Sequence, residues 1–109
     1  MANPWTGEVA IWVDDTRWRA KLTLGVLAEL EARLGANSMI GLVERFESGD
    51  FSTRDVLSVV IAGLRGGGWE GDEADMLTSE IRGGPVEAAR VAAELLARAF
   101  HVPNPTSAA

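Results

Sequence analysis

The stretch Glu8-Val9-Ala10-Ile11-Trp12-Val13-Asp14-Asp15-Thr16-Arg17-Trp18-Arg19-Ala20-Lys21-Leu22 decides the fold. Its apolar and polar residues alternate on both sides of an acidic turn, the period of a half-buried strand. A two-residue turn at Asp15-Thr16 pairs Val13 with Trp18, Ile11 with Ala20 and Val9 with Leu22, gathering the apolar side chains of both strands on one face. The other face then carries Asp14 with Arg17, Trp12 with Arg19 and Ala10 with Lys21. A four-residue loop keeps this parity, whereas a three-residue loop would set Val13 against Arg17. Asp-Thr is a poorer tight-turn pair than Asp-Gly, so the two faces are better defined than the turn type. A lone hairpin is marginal in water and must lie on the rest of the chain.

The remainder of the chain reads as helical. Thr23 suits an N-cap, Leu24, Leu27, Leu30 and Leu34 form an apolar stripe, and Gly35 ends that helix. Ser38 can cap a second helix carrying Met39, Leu42, Val43 and Phe46, stopped by Gly49. Ser52 with Asp55 reads as a capping box, and Phe51 with Val56 as its hydrophobic staple. Leu57, Val60, Ile61 and Leu64 continue that third helix, broadened by Val59, until Gly66-Gly67-Gly68 breaks the chain. A short fourth helix is expected from Asp72 through Met76, Leu77 and Ile81. After Gly83-Gly84, Pro85 can open a last helix whose buried face reads as Val86, Ala89, Ala93, Leu96 and Phe100, with Glu94 and Arg98 paired on the wet side. The fold expected is α+β and mostly α: an N-terminal β-hairpin packed on a bundle of about five short helices. Residues 1–102 read as one domain and 103–109 as a flexible tail.

Composition narrows the class. The chain has 109 residues, a net charge of −6 and no cysteine, which excludes disulfides and thiolate metal sites. The acidic balance argues against direct binding of nucleic acid, whose phosphates call for clustered Lys and Arg. No apolar run approaches the ~20 residues of a membrane-spanning helix. Met1-Ala2-Asn3-Pro4-Trp5 does not read as a signal peptide, so the cytoplasm is the expected compartment.

No constellation of catalytic groups stands out. The sole histidine, His101, sits at the end of the last helix, where a positive charge suits the dipole. Glu70, Asp72, Glu73 and Asp75 lack the spacing of a calcium loop and fit the usual enrichment of acids at a helix start. The triple glycine follows a helix and precedes no Gly-Lys-Ser/Thr, so it reads as a flexible linker and not as a phosphate loop. The expectation is a protein that binds and does not catalyse, with no cofactor and no metal. Its candidate contact residues are Trp12, Arg17, Arg19 and Lys21 on the outward hairpin face, and Trp69 in the Gly-rich segment. Exposed Trp beside Arg is typical of interface anchors, and a hairpin also offers an edge for strand addition. Against this, Trp12 can stack on Arg19 or be covered by the segment around Trp5, and Trp69 can plug the core.

Several stretches taken in order resemble one family. They are Asn3-Pro4 with Gly7-Glu8-Val9, then Leu22-Thr23-Leu24-Gly25 running into Leu27-Ala28-Glu29-Leu30-Glu31. Ser38, Leu42, Glu44-Arg45 and Gly49 come next, then Asp55 and Gly63-Leu64-Arg65-Gly66-Gly67-Gly68. The combination is similar to the small tail proteins of gene transfer agents, phage-like particles of alphaproteobacteria, and covers nearly the whole chain. Such proteins go by the names phage tail tube protein and tail assembly chaperone. The resemblance implies tape-measure and other tail proteins as partners, with self-association also open, and no catalytic or cofactor residues. A tube wall needs extensive β-structure, and one hairpin supplies little. The expected role is therefore a chaperone that coats the tape-measure protein during assembly, the alternative being a structural tail component. Asp14-Asp15-Thr16 stands where an Asp-Gly-like turn is expected of this family.

Overall fold

The computed structural model describes residues 7–34 and 39–100. The expectations for Trp5, Gly35, Ser38, His101 and the tail from Pro103 lie outside the described residues. In chain order the elements are β1 (Val9–Val13), β2 (Thr16–Ala20), α1 (Leu24–Leu34), α2 (Met39–Ser48), α3 (Thr53–Gly66), α4 (Glu73–Leu77) and α5 (Gly84–Ala99). This is the hairpin on five helices that the sequence implied.

The hairpin turn falls one residue earlier than expected. Val13 pairs with Thr16, Trp12 with Arg17, Ile11 with Trp18, Ala10 with Arg19 and Val9 with Ala20. Asp14 and Asp15 occupy the turn with φ of 48° and 65°, the left-handed pair that a type I′ turn requires. The shift has a steric reason. Aspartate tolerates the left-handed region, whereas β-branched Thr16 does not and enters the strand instead. Sliding the turn by one residue moves every partner by two, so each side chain keeps its face. Val9, Ile11, Val13 and Ala20 are buried, Leu22 is buried beyond the ladder, and Trp18 is half-buried against the core.

The hairpin lies on α3 and α5, with α3 at the centre of the molecule in contact with α1, α4, α5 and β2. Every residue of α3 from Val59 to Leu64 is buried, as a helix covered on several sides must be. Its start is the capping box expected: Ser52 Oγ accepts from the Asp55 N–H at 3.1 Å, and Asp55 Oδ2 accepts from the Ser52 N–H at 3.0 Å. The carboxylate also holds Arg45 of α2 through two bonds of 2.9 Å, so one side chain caps α3 and fastens α2 to it. The Thr23 cap of α1 is likewise present, its hydroxyl accepting from the Val26 N–H at 3.2 Å.

The α1 stripe holds for Leu27, Leu30 and Leu34, which pack on the core beside Val26, whereas Leu24, in the first turn, is 86% exposed. The α5 stripe is rotated from its expected position. On α5 the buried face is Ala88, Val91, Ala92, Leu95 and Leu96, and Val86 is 81% exposed. The alanine-rich sequence offers two adjacent stripes about 100° apart, one residue's turn. The one carrying Val91 and Leu95 offers the larger apolar side chains, and it wins. Helix α4 also ends sooner than expected, and Ile81 leaves it to form an antiparallel bridge with Val13.

Candidate functional site

Strand alternation turns Trp12, Arg17 and Arg19 outward once Val9, Ile11 and Val13 face the core. Trp12 is half-buried, and Arg17 and Arg19 are exposed. The cation on Trp12 is not Arg19 but Arg82, whose guanidinium stands 4.0 Å from the ring centroid. Arg82 is placed there by its backbone, which donates to the Trp12 carbonyl at 3.0 Å. Its side chain also reaches Asp15 Oδ1 at 3.4 Å. The structure therefore gathers Trp12, Arg17, Arg19 and Arg82 on one face. Lys21 is half-buried past the end of β2, its N–H bonded to the Gly63 carbonyl. Trp69 stands on a different element, half-buried against the core with its ring over Gly71.

Each edge of the hairpin is covered over part of its length. Along β1, Glu80 and Arg82 act as a short third strand: Asp14 N–H donates to the Glu80 carbonyl at 2.8 Å, and Asp14 Oδ1 accepts from the Glu80 N–H at 2.9 Å. Along β2 lies the C-terminal end of α3. A Cβ on Gly66 would collide with the Lys21 carbonyl, and one on Gly67 with the Arg19 carbonyl. Gly66 and Gly67 are thus a surface of close backbone approach, beyond the linker expected, while Gly68 turns the chain at a φ of 99°. Strand addition at either covered stretch is closed off. Arg82 had almost no signal in the sequence, since Glu80-Ile81-Arg82 is too short an alternation to separate from the end of α4.

A second surface is an apolar groove of about 540 Å³ between the N-terminal halves of α3 and α5. Its walls include Phe51, Val56, Leu57, Ile81, Pro85 and Ala89. It stays open because α5 presents proline and alanines there, too small to fill the gap to α3. The staple residues Phe51 and Val56 both face it, and Phe51 stacks on Phe46 with centroids 4.7 Å apart. Next to Val56, the Arg45 hydrogen bonds hold the Asp55 carboxyl below its usual range against the opposing effect of burial.

On α5, Arg90 bridges Glu87 at 2.7 Å and Glu94 at 3.2 Å, and the expected Glu94–Arg98 pair stands at 3.8 Å. Asp72 and Asp75 form a capping box at α4, the structural use expected of that acidic cluster. Among the described residues no group of His, Asp and Glu could hold a metal ion, and no helix is long and apolar enough to cross a membrane.

The fold and its two surfaces define a small α+β domain with a tryptophan among arginines on the outward hairpin face and an apolar groove between helices. The chain belongs to the family described as phage tail tube protein, GTA-gp10, whose model matches residues 6–102. Neither a curated protein nor a solved structure matches it.

Proposed function

We propose that the protein is a tail assembly chaperone that binds without catalysing. In this reading it covers apolar stripes of the helical tape-measure protein until tube subunits replace it. The observation that carries the reading is the groove between α3 and α5. Its volume of about 540 Å³ and its apolar walls suit side chains spaced i, i+3/i+4, i+7 on an amphipathic helix. Exposed Val86, next to Pro85, extends apolar surface beside it. The hairpin supports the same choice, because a β-built tube wall joins subunits through strand edges, and here Trp12 and Asp14 on one edge and Arg19 and Lys21 on the other are already occupied within the monomer.

Co-elution of the purified chain with tape-measure fragments on size exclusion tests the proposal. Ala89→Glu, which places a charge in the groove, should weaken that complex at least about tenfold while unfolding shifts by less than ~1 kcal/mol. The family description favours a second reading, a structural tail component. Rings or tubes formed by the purified protein, or stoichiometric amounts of it in finished particles, would establish that reading and overturn ours.

A further inference from the structure

We infer that the outward hairpin face, with Arg17, Arg19 and Arg82 around the Trp12 ring, docks a carboxylate-bearing helical segment of a protein partner. The inference does not rest on the chaperone reading and concerns a different surface from the groove. Charge is the first argument. The chain carries −6 overall with only 10 Lys and Arg, yet three of its arginines gather at this tryptophan. Arg17 and Arg19 make no ion pair among the described residues, and the 3.4 Å contact of Arg82 with largely solvent-exposed Asp15 is a loose one.

Geometry is the second argument. With Trp12 and Asp14 on one edge and Arg19 and Lys21 on the other already covered, the outward face is the surface this hairpin offers most openly to a partner. Alternate residues on one strand face stand about 7 Å apart, close to the ~6 Å rise between carboxylates four apart on a helix. Two Glu side chains on such a helix can therefore engage Arg17 and Arg19 together, with Trp12 and its stacked Arg82 as the apolar and cationic anchor. The acids around the patch select against a polyanion. Asp14 and Asp15 stand at the hairpin tip and Glu80 beside Arg82, so a nucleic-acid backbone running across the face meets like charge where it leaves.

The probe is an alanine-based helical peptide with glutamates four apart, titrated calorimetrically into the full chain, with its glutamine twin as comparison. The glutamate peptide should bind, weaken as salt is raised, and shift the Trp12 indole N–H resonance, whereas the glutamine twin should do none of these. Arg17→Glu with Arg19→Glu should lower affinity at least about tenfold without moving the melting midpoint. Arg17→Gln with Arg19→Gln gives the same comparison should the reversal fail to fold, and Arg33→Glu on α1 should leave binding unchanged. Ala89→Glu should leave it unchanged as well, which separates this surface from the groove. Equal binding of the two peptides, or affinity insensitive to the double substitution, overturns the inference. So does tighter binding of single-stranded DNA, or self-association of the chain that the double substitution abolishes, which would assign the face to a second copy.

Discussion

At the scale of single residues, the glycines at the end of α3 carry the sharpest consequence. Gly66 is the last residue of α3, a helical position where alanine is ordinarily at least as good as glycine. Here a methyl group would meet the Lys21 carbonyl, a backbone atom that cannot swing aside. Gly66→Ala should therefore destabilise by about 2–3 kcal/mol, the ordinary cost of forcing extra volume into a packed contact. Urea unfolding measures it, and a gain in stability would show that the hairpin does not sit on α3 as described. Asp55 matters for the opposite reason, since its two oxygens satisfy a cap and a neighbouring helix at once.

At the scale of elements, the hairpin shows what could and could not be read in the sequence. Alternation fixed which side chains face the core, because that depends only on parity, and parity survives a turn displaced by one residue. The turn itself was misplaced because local conformational cost, left-handed Asp14 and Asp15 against Thr16, outweighed the pairing argument. With two aspartates at positive φ, Asp15→Gly should relieve strain of ~1 kcal/mol and raise the melting temperature by about 4–8 °C. Loss of the exposed Arg82 contact offsets little of this. A thermal scan that shows no rise would mean the turn is not the strained type I′ pair. The capping box at Ser52 and the helix start at Asp72 were legible from residue type and spacing alone. The α5 stripe was not, because alanines fit a buried and a solvated face equally well. Neither the groove nor Arg82 over Trp12 was legible, since both depend on where the α4–α5 connection lands in space.

At the scale of the whole molecule, the charges set an acid limit. Asp55, Asp72 and Glu87 have carboxyls held below their usual range, by Arg45, by the Asp75 backbone N–H and by Arg90 in turn. The unfolded chain therefore binds protons more readily than the folded one. This contribution to stability is present in full above the unfolded values near 4 and is lost as pH falls through the lower folded ones. Melting temperature should hold from neutrality to about pH 5 and drop below pH ~4. Asp55→Asn should cost about 2 kcal/mol at neutral pH and flatten that acid limb. A limb as steep as that of the unaltered protein would show that Asp55 contributes nothing to it.

The contact between α3 and β2 has a further consequence, for how such a chain can diverge over generations. Gly67 is exposed to solvent, and exposed positions ordinarily accept almost any substitution. Here the Arg19 carbonyl occupies the space a side chain would need, so tolerance at Gly67 is that of an interior residue. Sequence drift should spare Gly66 and Gly67, and Gly68 for its left-handed backbone, while an exposed neighbour such as Glu70 changes.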